Sequence, residues 1–219
     1  MGFFNREKKP TSPAAEIVDK KPTTISLVKG KNIMIGIDFS GSMDTKDGDL
    51  TDSKSRLKYA EKQTIALAME ASKIDSDGID VITYSGAPDV QTYWNTDAGT
   101  VSDVFKGGTR GSTGTHLAIQ TAYERHQAIG SKSTLFLLVT DGVPDSESAV
   151  ESIIVKIANE VKSPDVFMIA ILTVGKLNDS TRNWLLKLDE NLGSKTNGVD
   201  IVSVQPLCGA SFEAVKAAR

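Results

Sequence analysis

The sequence predicts an α/β domain: a doubly wound, mostly parallel sheet of six strands with one antiparallel edge strand and helices on both faces. Three observations lead there. Short apolar runs alternate with stretches of helical period along most of the chain, as they do when helices cover a parallel sheet. Two of the runs, residues 33–37 and 134–139, are almost uninterrupted, the pattern of strands buried on both faces. Residues 79–84 and 90–94 are joined by Ser85 to Asp89 alone, too short a link for a helical crossover, so this pair forms a hairpin at the edge of the sheet.

The elements follow in order. Residues 1–24 hold Pro10, Pro13 and Pro22 among Lys, Glu and Thr with no sustained period, and read as a flexible leader to a domain spanning 25–219. After the first strand, Leu57, Ala60, Thr64, Leu67, Ala68 and Ala71 mark one face of a helix over 55–73, which Asp75 to Gly78 stops. The hairpin comes next, then a short helix over 99–105 and a longer one over 115–129. Beyond the second central strand, residues 146–161 form a helix capped by Asp145 or Ser146, with Glu147 and Glu151 early, where the helix dipole favours them. A strand over 166–174, a helix over 178–191, a strand over 199–204 and a closing helix over 210–218 complete the count.

Composition excludes several classes of function. With 39% hydrophobic and 24% charged residues the chain of 219 is neither disordered nor fibrous, and it is long enough for a substantial core. A net charge of -3 offers no electrostatic footprint for nucleic acid. The single cysteine, Cys208, cannot close an intrachain disulfide and fits a reducing compartment. No apolar run approaches the ~20 residues of a membrane helix. Met1 to Phe4 turns at once to Arg6, Lys8 and Lys9, without the apolar stretch of a signal peptide, so the expected location is the cytoplasm.

The chemistry gathers at strand ends. Asp38-Phe39-Ser40-Gly41-Ser42 stands at the carboxyl end of the first strand, where open α/β sheets bind ligands. Two hydroxyls and a carboxylate make a hard oxygen set, suited to Mg²⁺, Ca²⁺ or Mn²⁺ rather than zinc. Taken alone, such a string is also what helix caps and turns look like. Two further elements occur in order: Gly111-Ser112-Thr113 ahead of Ala118-Ile119, and Thr140-Asp141-Gly142 at the end of the second central strand.

Together these three elements resemble the metal-ion-dependent adhesion site of the von Willebrand factor A family, from about Lys31 to the C-terminus. The resemblance implies a Rossmann-like fold and a bound divalent cation, Mg²⁺ foremost with Mn²⁺ or Ca²⁺ as alternatives. It implies Ser40, Ser42 and Thr113 as direct ligands, Thr115 being the competing candidate for the third. Asp38 and Asp141 are implied as anions acting through bound waters. An ion held by neutral hydroxyls stays electron-poor with an exchangeable position, which a partner protein's Asp or Glu can fill. A free-standing adaptor and a subunit docked on a larger machine such as an AAA-type ATPase both fit that use.

Ser40 to Met43, the Asp/Gly-rich stretch to Asp52 and residues 75–80 further resemble intracellular A-type domains of bacterial and phage proteins associated with tellurium resistance and general stress. The lead-in from Ile25 to Gly30 is similar to strands of that system. Asp44, Asp47, Asp49 and Asp52 fail the EF-hand spacing around Gly48 and read as a solvated acidic loop or a second cation site. His116 reads as a surface residue at a helix start, and His126 as lying at the polar end of that helix with no partner motif. Trp94 and Trp184 read as packing residues. Enzymatic turnover is not expected. Dehalogenase-type phosphatases resemble D-x-D, and Ser40 stands where the second Asp belongs. No P-loop, G-x-S-x-G or strand-following G-x-G-x-x-G is present.

Overall fold

A computed structural model describes residues 31–48, 50, 55–73, 77–190 and 192–207. The leader expected over 1–24, the lead-in from Ile25, Asp49, Asp52, Cys208 and the closing helix expected over 210–218 lie outside the described residues. In chain order the elements are β1 (Asn32–Asp38), a 3-10 turn (Gly41–Asp44), α1 (Arg56–Ala71), β2 (Ile79–Tyr84) and β3 (Val90–Thr96). A 3-10 helix (Val101–Gly107), α2 (Thr115–Ala128), β4 (Thr134–Thr140), α3 (Glu147–Val161), β5 (Phe167–Thr173), α4 (Asp179–Glu190) and β6 (Val202–Pro206) follow.

The six strands form one sheet in the order β3-β2-β1-β4-β5-β6, all parallel except β3 at the edge. The hairpin at the sheet edge and the doubly wound plan are therefore both present. Alternation along the strands separates two cores. Ile33, Ile35, Ile37, Leu135, Leu137 and Val139 face α1 and the 3-10 helix around Val104 and Phe105. Met34, Phe136, Leu138, Ile169 and Ile171 face α2, α3 and α4. Burial on both faces is why β1 and β4 carry no polar residue in their interiors. Gly36 in β1 makes room for a neighbour, since a Cβ there would stand 2.6 Å from Phe136 Cζ and 3.0 Å from Leu138 Cδ1.

Helix entries follow capping chemistry. Ser55 opens α1 by accepting from Lys58 N, and Ser146 opens α3 by accepting from Ala149 N. Ser146 is thus the cap of α3, and Asp145 is released for other work. Two histidine readings change. His126 is 1% exposed rather than polar-facing, and His116 is half-buried. No helix among the described residues is long and apolar enough to cross a membrane.

Candidate metal centre

Strand order reverses between β1 and β4, and in doubly wound sheets that reversal opens a crevice at the carboxyl ends of the strands. Asp38 is the last residue of β1 and Asp141 follows the last residue of β4, so the topology brings the two aspartates to this crevice. Their strands run side by side in register, Ile37 opposite Val139.

The turn after β1 is built on the Asp38 carboxylate. Its Oδ1 accepts the Ser40 backbone N–H at 2.8 Å, and its Oδ2 accepts the Thr140 hydroxyl at 2.7 Å. Thr140 Oγ1 also accepts the Gly142 N–H at 3.0 Å, which shapes the turn bearing Asp141. Burial pushes the Asp38 carboxyl up to about 7, against the hydrogen bonds from Ser40 and Thr140 that favour the ionised form; the charge of Asp141 adds to the rise. A cation beside this pair would relieve that penalty.

The tight turn sets the two serine hydroxyls 3.0 Å apart, within hydrogen-bond reach of each other. Gly41 donates its N–H to Gly111 O at 3.0 Å, and this bond ties the turn to the loop that carries Thr113. That loop is braced from its other side by Asp145, whose Oδ1 accepts the Thr113 N–H at 2.8 Å and whose own N–H returns to Thr113 O at 2.9 Å. Ser112 Oγ donates to the other carboxylate oxygen at 2.8 Å. Thr113 and Thr115 are both buried, Thr115 as the first residue of α2. Sequence spacing missed Asp145, reading it as one of two candidate caps.

Arg56 is the second missed residue. From the first turn of α1 its Nη1 reaches Asp141 Oδ2 at 3.0 Å, while Nε and Nη2 hold Asp47 at 2.7 and 3.3 Å. The hydrogen bond from Arg56 holds the Asp47 carboxyl below its ordinary value, with the Lys176 N–H adding to the effect against partial burial. Burial would weaken the guanidinium, but the paired carboxylates more than offset it and raise its pKa. The acidic loop is therefore not uniformly solvated. Asp47 is committed to Arg56, and Asp44 accepts the Thr109 hydroxyl at 2.5 Å.

The donor set fits a hard divalent cation. Asp141 Oδ1 is buried and has no hydrogen-bond partner among the described residues, an arrangement that is costly unless a ligand or water completes it. Among the described residues no three His, Cys, Asp or Glu side chains come close enough to hold a metal. Binding here would therefore have to rely on hydroxyls with two carboxylates in support, which suits Mg²⁺, Mn²⁺ or Ca²⁺ and not zinc.

Comparison with known proteins agrees with this architecture. The profile of the von Willebrand factor type A domain matches residues 33–143. Among solved structures, the SpRpn10 VWA domain superposes with a TM-score of 0.56 at 15% identity, covering 84% of this chain and 92% of that one. BatB from Bacteroides thetaiotaomicron gives 0.52 at 16% identity, over 80% of this chain and 91% of its own. A manganese-loaded Plasmodium vivax TRAP protein gives 0.52 at 15% identity, over 82% and 69%. At such identities the likeness is one of fold. No curated protein matches the chain.

Proposed function

The chain belongs to the von Willebrand factor type A domain family, and from that premise we propose that it is a metal-dependent protein-binding module whose site takes an acidic residue of its partner. The observation that carries the reading is the convergence, at one crevice, of the Ser40 and Ser42 hydroxyls, the braced Thr113 loop and the unpartnered Asp141 Oδ1. A bound Mg²⁺, or Mn²⁺ or Ca²⁺ in its place, would supply an electron-poor position open to a partner's carboxylate. The manganese carried by the Plasmodium vivax TRAP structure supports a divalent ion in this fold.

Each residue has a part. Ser40, Ser42 and Thr113 offer neutral oxygens, which leave charge on the ion unspent. Asp38 and Asp141 hold waters and balance charge from behind. Without an ion, the same two aspartates would face a partner's carboxylate as like charges, so recognition depends on the cation's sign as well as on its ligands. The module is read as an intracellular adaptor, consistent with the lone Cys208. The stretch from Ser40 to Asp52 supports a place in a tellurium-resistance or stress-response system. A phosphotransfer role of the D-x-D kind lacks its second carboxylate, because Ser40 stands there.

Isothermal calorimetry with Mg²⁺ and Mn²⁺ tests the metal. Wild type should bind, and Ser40→Ala/Ser42→Ala should not; equal affinity in the two sinks the assignment. Partner capture from lysate in Mg²⁺ and in EDTA tests the rest. A partner held equally well in both would mean that recognition bypasses the site.

A further inference from the structure

Asp141 has two oxygens with different fates. Oδ2 is taken by Arg56 Nη1 at 3.0 Å, whereas Oδ1 is buried and free to accept. We propose that Arg56 is a positioning residue: by occupying Oδ2 it keeps Asp141 from swinging onto a cation directly, and so preserves the cation's open position for a partner carboxylate. The inference rests on the metal-binding reading above.

Three features favour a fixed clamp over a casual ion pair. The guanidinium is immobilised on its far side, with Nε and Nη2 on Asp47 and Nη2 also donating to Lys176 O at 3.3 Å. Asp47 is itself anchored, since Oδ2 accepts the Lys176 N–H at 3.2 Å. Space for the assembly comes from Gly175, where a Cβ would collide with both Asp47 and Arg56 and where φ is +76°. Backbone of the β5–α4 connection thus leaves room for the Asp47–Arg56 pair. Arginine also keeps its charge at every pH at which the protein is folded, so the hold on Oδ2 is constant.

The charges matter as much as the geometry. Asp38 and Asp141 are both buried at the ends of neighbouring strands. A carboxylate bound to a divalent ion through its own oxygen neutralises more of the ion than one bound through water. Removing the guanidinium would free Oδ2 and allow direct ligation. Affinity for the ion should then rise while its capacity for an outside ligand falls. A staple with no role toward the ion would instead lower affinity or leave it unchanged.

Mn²⁺ is the probe, because the relaxation of water protons counts the exchangeable waters on each bound ion. The full chain is compared as wild type, Arg56→Gln and Arg56→Lys. With three hydroxyl ligands and three waters in an octahedral shell, Arg56→Gln should lose roughly one water in three per bound ion. Its Mn²⁺ affinity should rise several-fold, and Arg56→Lys should recover much of the wild-type relaxivity. Unchanged relaxivity per bound ion in Arg56→Gln overturns the proposal. Should circular dichroism show that variant unfolded, Asp47→Asn carries the test. There the clamp loses its anchor, so Mn²⁺ affinity should rise and relaxivity per bound ion should fall, in the direction set for Arg56→Gln though by less, and unchanged relaxivity overturns the proposal. Absence of Mn²⁺ binding by the wild type would strike earlier, at the metal reading itself.

Discussion

Thr113 and Asp145 are bound to each other twice, the carboxylate accepting the Thr113 N–H at 2.8 Å and the Asp145 N–H donating back to Thr113 O at 2.9 Å. The pair fixes the Thr113 loop to the segment between β4 and α3, across 32 residues of sequence. Asp145→Ala removes the side-chain half of this brace and leaves the Thr113 N–H without its acceptor. A loss of about 1.5–3 kcal/mol is expected in urea denaturation, the scale of a hydrogen bond to a charged group. Mg²⁺ affinity by calorimetry should fall about 10-fold or more, as for other residues that orient a ligand from behind. Equal affinity would mean that Thr113 is placed by its own loop.

Gly36 tests the packing between β1 and β4. A methyl group there must displace the Phe136 ring, because the Cβ would lie 2.6 Å from Cζ and 2.9 Å from Cε2. The ring is fully buried and cannot leave the core. Overpacking of this kind costs about 1–3 kcal/mol. For a domain of this size that corresponds to a fall in Tm of roughly 2–12 °C for Gly36→Ala. A Tm within 1 °C or so of the wild type would show that Phe136 repacks freely.

Much of this was legible in the sequence because burial writes itself as composition. The unbroken apolar runs of β1 and β4 reveal strands covered on both faces, and the short link between β2 and β3 admits only a hairpin. Boundaries slipped where local side chains intervened. The last strand, expected over 199–204, starts at Val202, because Asp200 Oδ1 accepts the Val202 N–H and Val199 belongs to the preceding turn. Arg56 left one readable trace. A cation in the first turn of a helix opposes the helix dipole, and that misfit points to an anion close by. His126 was readable too, lying seven residues after Ile119 on the buried stripe of α2. Asp145 was not, since its partner lies on a distant loop and nothing in a chain without coordinates says which loops touch.

His126 gives the fold a dependence on pH. Its Nδ1 lies 3.1 Å from Lys132 O and 2.9 Å from Thr134 Oγ1, and the Thr134 hydroxyl donates to Lys132 O. With that hydroxyl proton spent, Nδ1 must be the protonated nitrogen of a neutral ring. A second proton would go to Nε2, in a ring packed against Tyr123 and Phe167 at 5.7 and 5.2 Å. Burial lowers the pKa below the ordinary 6.5, against the hydrogen bond to Lys132 O, which raises it. The unfolded chain therefore binds the proton first as pH falls. Stability from the neutral ring is complete above pH 6.5 and drains away as pH drops through the folded-state value. Urea midpoints at pH 7.5 and 5.5 should differ more for the wild type than for His126→Asn. Equal differences would assign the acid sensitivity elsewhere.

Thr140 offers the sharpest separation of hydrogen bonding from shape. Its hydroxyl does two jobs at the floor of the site, donating to Asp38 Oδ2 at 2.7 Å and accepting from Gly142 N at 3.0 Å. Valine keeps the outline and removes both. Thr140→Val would leave a buried carboxylate oxygen and a buried N–H unsatisfied, at about 1–3 kcal/mol for each group. Thr140→Ser keeps the hydroxyl and gives up a methyl, worth about 0.8 kcal/mol. The order of stability by urea denaturation should therefore be wild type, then Ser, then Val, with the larger gap between Ser and Val. Metal affinity should follow the same order, since the hydroxyl also favours the ionised form of Asp38 and its loss pushes that carboxyl further up. If Val proved as stable as Ser, the contribution of Thr140 would lie in its methyl group and its packing, and the polar floor beneath the two aspartates would not be what holds them in place.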